Sequence, residues 1–272
     1  TVLIGAPTFI RPILKKAQRD ELRSLDLVVT GAEKLPDELY RTFLETFNLE
    51  ILQGYGLTET TPASNLNQPH PPIVTSTGEP QLGKKTGSVG RLMPGMTARI
   101  ADPETGRELA LTDTGVVLFR GANVFAGYLK NEAKTREALR DGWFVTGDLG
   151  RFDEDGFLFI EGRLSRFSKI GGEMVPHGTV EQKITEVFDL DQSAGYAVVV
   201  MGVPDASKGE ALVLLTTLPL AADEVRARLL AAGLPGLWVP KIIRRVEAIP
   251  VLGTGKLDLK ACRDLALEAA KG

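Results

Sequence analysis

Compact apolar runs alternate with helix-spaced apolar positions along this chain, and the alternation predicts its layout. Residues 25–30 form an apolar run closed by Gly31, and Pro36 suits the first turn of a helix whose apolar positions are Leu39, Phe43, Leu44 and Phe47. Residues 49–53 supply a second apolar run ahead of Gly54-Tyr55-Gly56. The resulting strand–helix–strand unit delivers that glycine segment to the carboxyl end of a strand, where open α/β sheets bind ligands.

The pattern then changes. Residues 62–86 are rich in Pro, Ser, Thr and Asn and predict a long surface loop. Residues 97–100 and 115–120 predict strands around an Asp102-Pro103-Glu104-Thr105-Gly106 turn, and residues 157–160 predict another, giving a small β-rich subdomain. Asn131 is placed to cap a short helix through Leu139, which leads to Trp143-Phe144-Val145-Thr146-Gly147-Asp148. Near Glu161-Gly162-Arg163-Leu164-Ser165-Arg166 the apolar pattern gives way to polar residues, so a domain boundary is expected there, dividing 1–161 from 162–272. Beyond it, Thr179 and Gln182 fit a capping box for a helix carrying Val180, Ile184, Val187 and Phe188. Strands at 194–203 and 211–217, a helix at 223–232 stopped by Gly233, a strand at 241–246 and a helix from Asp258 complete a compact α+β module. The fold class is therefore α/β followed by α+β.

With 272 residues the chain is long enough for about two domains. A net charge of -3, from 32 basic and 35 acidic residues, gives no basic field of the kind that non-specific nucleic-acid binding uses. The single cysteine, Cys262, excludes an internal disulfide framework and suits a cytoplasmic protein. Apolar stretches such as Ala197-Val198-Val199-Val200-Met201 fall far short of the roughly 20 residues a membrane helix needs. The chain opens on Thr1-Val2-Leu3-Ile4 without methionine or signal pattern, and is expected to be a piece of something longer.

Three short segments carry candidate chemistry. Gly54-Tyr55-Gly56 presents an aromatic ring from a sharp turn, fit to lie on a flat ligand such as adenine, the plainer reading being a tight turn with a half-buried tyrosine. Thr58 and Glu59 place a hydroxyl beside a carboxylate, a pair suited to a phosphate oxygen and its Mg²⁺. Asp148 can accept from both hydroxyls of a ribose, or serve only as a turn former after Gly147. Arg163 is a candidate for the same ribose or the phosphate, or a solvated linker charge. Lys256, in Gly253-Thr254-Gly255-Lys256, is either a mobile point charge for oxygens that gain charge in a transition state or an ordinary surface lysine.

In this order, over essentially all 272 residues, these segments resemble the later core motifs of the adenylate-forming superfamily of acyl-CoA synthetases, peptide-synthetase adenylation domains and luciferases. The resemblance implies that residues 1–161 are the last part of a large AMP-binding domain and 162–272 a small mobile lid domain. It implies that Tyr55 stacks on adenine, Thr58 contacts the α-phosphate, Glu59 binds Mg²⁺, Asp148 holds the ribose and Lys256 catalyses adenylation with ATP. Gly31-Ala32-Glu33 resembles the segment lining the adenine and acyl pockets. Residues 162–175 resemble the hinge motif, with the hinge at about 163–166. Where family members commonly carry Asp or Lys the chain has Ser165, and Lys169 matches a position implicated in the second half-reaction.

The hinge wording and Asp205-Ala206-Ser207-Lys208-Gly209-Glu210-Ala211-Leu212-Val213-Leu214 are similar to the synthetase portion of the bacterial bifunctional acyl-[acyl carrier protein] synthetase/2-acylglycerophosphoethanolamine acyltransferases. That likeness implies fatty-acid activation, thioester formation on acyl carrier protein and transfer to a lysophospholipid, at the inner face of the bacterial membrane. Arg166, Lys169, Arg244 and Arg245 are candidate contacts for an acidic carrier protein. The acyltransferase motif, His followed by Asp five positions later, is absent: Thr75 and Gln182 stand at those places after His70 and His177. Nothing before Gly31 resembles the Ser/Thr/Gly-rich loop that serves the ATP β- and γ-phosphates, so the chain alone is expected to adenylate poorly. Two alternatives remain open: an acyl-CoA synthetase using free CoA, and a non-catalytic nucleotide-binding or interaction module.

Overall fold

The computed structural model describes residues 1–71, 78, 81–190, 195–253 and 256–271, which form two compact units, Thr1–Glu161 and Gly162–Gly272. The first contains two sheets. Strands β1 (Val2–Gly5), β2 (Leu27–Thr30) and β3 (Ile51–Tyr55) run parallel, linked by helices α1 (Pro7–Lys16) and α2 (Asp37–Phe47). Strands β4 (Asn65–Leu66) and β5 (Arg91–Leu92) extend the sheet antiparallel in the order β1-β2-β3-β4-β5.

Helix α2 starts one residue later than its pattern suggested. Pro36 occupies the N-cap, Asp37 and Glu38 place negative charge in the first turn, and Asn48 ends the helix in a left-handed conformation at φ 54°. Its spaced residues Leu39, Phe43 and Phe47 pack with Ile10 of α1 on Val28 and Ile51 of the sheet. β1 and α1 were not anticipated, although Val2-Leu3-Ile4 is apolar and Pro7 opens the helix.

The expected loop at 62–86 is corrected at its start, where β4 lies. Ser64, Asn65 and Asn67 are buried, and their polar side chains mimic backbone. Asn67 donates to the carbonyls of Gln53 and Ser88 and accepts from the Lys85 amide.

The second sheet has the order β10-β9-β7-β6, formed by β6 (Met96–Ala101), β7 (Gly115–Gly121), β9 (Trp143–Phe152) and β10 (Leu158–Arg163). Asp102 accepts from the amides of Glu104 and Thr105 and so makes the turn after β6. Helix α3 (Glu132–Ala138) is capped as expected by Asn131, whose side chain accepts from the Lys134 amide, and it leads to β8 (Leu139–Arg140) on β9.

Gly162–Gly272 is built on one sheet of β11 (Phe167–Ile170), β12 (Glu173–Pro176), β13 (Val198–Asp205) and β14 (Gly209–Thr216) in the order β12-β11-β14-β13, with β15 (Ile242–Arg245) parallel to β14. Strands β13 and β14 are buried on both faces, so each is a near-continuous apolar run. Val198, Val200, Leu212 and Leu214 meet helices α4 (His177–Val187) and α5 (Ala222–Ala231). The alternate residues Val199, Met201, Val213 and Leu215 meet Cys262 and Ala266 of α6 (Leu259–Lys271). Asp258 caps α6 by accepting from the Lys260 and Ala261 amides.

One expectation fails in this unit and one hairpin was not anticipated. α4 begins at His177, so Thr179 lies inside the helix and the capping box does not form; Pro176 takes the N-cap. Residues 167–176, to which the sequence assigned no element, form a hairpin, β11 (Phe167–Ile170) and β12 (Glu173–Pro176), turned by Gly171 and Gly172.

Behind this hairpin, His177 is buried, its Nε2 lying 2.9 Å from the Ser168 hydroxyl. Burial, with the Arg166 charge second, pushes its pKa from 6.5 to about 3. The native ring is therefore neutral, whereas the unfolded chain takes up a proton below pH 6.5, so this stability is present above that pH and lost as pH falls toward 3. At about 1.4 kcal/mol per pKa unit, urea unfolding followed through Trp238 fluorescence, with Trp143→Phe to isolate the signal, should give about 1.4 kcal/mol less stability at pH 5.5 than at pH 7.5. His177→Gln should flatten that difference.

Candidate nucleotide-binding site

The parallel strands of the first unit end side by side, β2 at Thr30 and β3 at Tyr55, with Thr30 in register with Gln53. Gly31 and Ala32 follow β2 directly, Ala32 in a left-handed conformation at φ 66°, and the Glu33 carboxylate lies 3.5 Å from the Thr8 hydroxyl. Gly54 and Tyr55 pair with Leu66 and Asn65 of β4. At Gly56 the chain passes so close to the following loop that a Cβ would lie 1.9 Å from the Pro62 carbonyl oxygen. Only glycine fits there.

The segment after Gly56 turns through a 3₁₀ helix, Thr58–Thr60, fastened by Thr60. The buried Thr60 hydroxyl accepts from the Leu57 amide at 2.9 Å, and the Asn123 amide donates to the carbonyls of Thr60 and Ala63. Thr58 is exposed on this turn and Glu59 half-buried. The Tyr128 hydroxyl donates to Glu59 Oε1 at 2.6 Å, and the Phe125 amide donates to the Glu59 carbonyl at 2.8 Å. Tyr128 was not anticipated as part of the site. The available signal was Gly127-Tyr128, a second glycine–tyrosine pair like Gly54-Tyr55.

Asp148 reaches the same place from β9. Val116 pairs with Leu149 and Leu118 with Val145, so Thr146, Gly147 and Asp148 together face Val117 in a bulge. The sequence makes this bulge. The Thr146 hydroxyl donates to the Val117 carbonyl at 2.7 Å and accepts from the Asp148 amide at 3.0 Å, while Gly147 takes φ 72°. The bulge sets the Asp148 carboxylate, 4% exposed, against β3, where the Tyr55 hydroxyl donates to it. A phenol and a carboxylate from positions 93 apart thus meet, one presenting an aromatic face and the other acceptor oxygens. Tyr55 is steadied by Phe119 of β7, its ring centroid 6.2 Å away.

Among the described residues no group of three or more His, Cys, Asp or Glu side chains can hold a metal ion. Glu59 is one oriented carboxylate, and this donor set fits Mg²⁺ only as an ion that arrives with phosphate oxygens supplying its other ligands.

In the second unit Arg163 ends β10 and Ser165 lies in the 3₁₀ turn Leu164–Arg166, both exposed. Lys169 is on β11, its amide donating to Glu210 at 2.6 Å. Lys256 is exposed on a loop closed by the Val251–Leu257 bridge and by the Leu252 amide donating to its carbonyl; Thr254 and Gly255 lie outside the described residues. Arg166 is not an open surface charge. It pairs with Glu181 at 2.5 Å and donates to the Val200 carbonyl, which removes it from the candidate carrier-protein contacts. Asp205 makes the β13–β14 turn by accepting from the Ser207 and Lys208 amides, and Lys241 and these bonds hold its carboxyl well below the usual range.

Residues 1–129 match the AMP-binding enzyme family. The chain is 30% identical over 262 residues to a long-chain-fatty-acid–CoA ligase of Bacillus subtilis (strain 168), a match covering 94% of the chain and 44% of that protein. It is 29% identical over 274 residues to a 3-hydroxybenzoate–CoA/4-hydroxybenzoate–CoA ligase of Thauera aromatica, covering 97% of the chain and 49% of that protein. ATP-bound MatB from Rhodopseudomonas palustris superposes with a TM-score of 0.72 at 30% identity, over 97% of the chain and 50% of that structure. The chain thus spans about half the length of the proteins it matches.

Two substitutions test the scaffold. Gly56→Ala should displace the 56–63 turn, seen as loss of Tyr55 and Glu59 chemical-shift positions in NMR spectra with the rest of the first unit retained. Thr146→Val should cost about 1–3 kcal/mol in denaturant unfolding, because it removes the hydroxyl's buried bonds to the Val117 carbonyl and the Asp148 amide.

Proposed function

We propose, for a chain whose residues 1–129 match the AMP-binding enzyme family, that the Tyr55–Asp148 corner holds the nucleoside of ATP in an adenylate-forming acid–thiol ligase. The joining of these two side chains carries the reading. Tyr55 offers its ring to adenine, and Asp148 accepts from the ribose hydroxyls. Thr58 lies on the same turn for the α-phosphate. Mg²⁺ held at Glu59 with the nucleotide would neutralise phosphate charge.

In the first half-reaction a carboxylate oxygen of the acid bonds to the α-phosphorus while the bond to pyrophosphate breaks, giving an acyl-adenylate. Lys256 is the cation for the oxygens that gain charge, and Arg163 a second contact for ribose or phosphate. In the second, a thiol sulfur adds to the acyl carbonyl and AMP leaves; Ser165 and Lys169 belong to the hinge and to this step. The two units are the end of the large AMP-binding domain and the lid, with Gly31-Ala32-Glu33 lining the adenine and acyl pockets.

The acid we propose is a fatty acid and the acceptor an acyl carrier protein feeding lysophospholipid acylation, on the wording of residues 162–175 and 205–214. The names of the curated relatives favour a second reading in which free CoA is the acceptor. Lys169, Arg244 and Arg245 remain exposed for an acidic carrier protein.

Pyrophosphate release from ATP with Mg²⁺ and a panel of fatty acids tests the proposal. Acid-dependent release that falls at least about 100-fold in Lys256→Ala supports it. Saturable AMP binding without release assigns the chain the nucleoside part alone, and neither release nor AMP binding overturns the reading. Comparing holo-carrier protein with CoA as acceptor then separates the two thiol readings.

A further inference from the structure

We infer that Tyr128 is the positioning residue for the Glu59 carboxylate, fixing its orientation toward a nucleotide-borne divalent cation. This inference rests on the reading of Glu59 given above. The Glu59 side chain and backbone are both fastened to one turn, Oε1 by the Tyr128 hydroxyl at 2.6 Å and the carbonyl by the Phe125 amide at 2.8 Å. A half-buried carboxylate held by only one of these would pivot about its remaining bonds. Held at the backbone and at Oε1, the side chain is fixed at both ends.

The turn is itself anchored. The Tyr128 amide donates to the Thr135 hydroxyl at 2.9 Å, and that hydroxyl donates to the Asn131 carbonyl at the start of α3. The Phe125 ring meets Tyr128 edge-on at 4.9 Å and Phe144 at 5.7 Å. Phe144 is buried in β9, the strand that carries Asp148. Glu59 and Asp148 are therefore set from one rigid body, and their separation is fixed before any nucleotide arrives. Tyr128 is 37% exposed, and a phenylalanine would keep the ring contacts. A hydroxyl on an exposed ring that donates to a carboxylate oxygen fits the hydrogen bond that orients a metal-ligating carboxylate.

The test is binding of ATP to the whole chain without acid, by calorimetry, once with Mn²⁺ and once with EDTA. Tyr128→Phe should weaken Mn²⁺·ATP binding roughly tenfold while metal-free ATP binding and thermal stability stay at the wild-type level. Because Tyr128 acts through Glu59, adding Tyr128→Phe to Glu59→Gln should cause no further loss. Unchanged Mn²⁺·ATP binding in Tyr128→Phe overturns the inference, as does a parallel loss of metal-free ATP binding, which would mark a general structural role. Equal wild-type affinities with and without Mn²⁺ overturn the metal reading of Glu59 itself.

Discussion

The hydrogen bond from the Tyr55 phenol to the Asp148 carboxylate is the constraint on which the candidate site depends. A carboxylate only 4% exposed must be hydrogen-bonded to be tolerated, and here one donor is a side chain from the other sheet of the same unit. The bond closes a corner between the end of a parallel strand and a bulge in an antiparallel one. Each partner needs its own local device: Gly56 lets the chain turn beneath the Pro62 carbonyl, and Thr146 pairs the groups that the bulge frees. Loss of either device misplaces one partner and breaks this bond.

Under the proposed function a division of labour follows. Rigid elements carry the groups suited to the nucleoside, whereas Lys256 stands on an exposed loop between β15 and α6. A positioned carboxylate and a preset aromatic face favour recognition, and an exposed cation on a long flexible stem suits charge that appears only during reaction. The second unit is stiffened differently. Its sheet is covered on both faces, and beside it the Arg166–Glu181 pair and the Ser168–His177 contact fill a polar interior at the start of the unit. Such pairs add little net stability over apolar packing but penalise any rearrangement that separates them.

Much of this was legible in the sequence where one physical signal dominates. The β13 and β14 runs, the Leu39–Phe43–Phe47 spacing, the Asn131 cap and the Asp102 turn each follow from a local rule and stand where that rule puts them. The misses are places where a tertiary partner decides. Asn65 and Asn67 look like loop residues until the backbone groups they satisfy are known, and two-residue strands such as β4 have no period to detect. Thr179 and Gln182 match a capping box in spacing, but β12 runs directly into α4 and sets its start three residues earlier. Arg166 looks like a surface charge until Glu181 is seen beside it. Tyr55 and Asp148 were each legible as candidates, while their contact, and the hold of Tyr128 on Glu59, are properties of the fold.

The most direct measurement is a double-mutant cycle in AMP affinity, by calorimetry on the wild type, Tyr55→Phe, Asp148→Asn and the double variant. If the corner is the nucleoside site, each single variant weakens AMP binding, and the double is weaker than wild type by clearly less than the product of the two effects, a coupling on the order of 1 kcal/mol or more. Independent effects, or AMP affinity indifferent to both substitutions, would contradict the account.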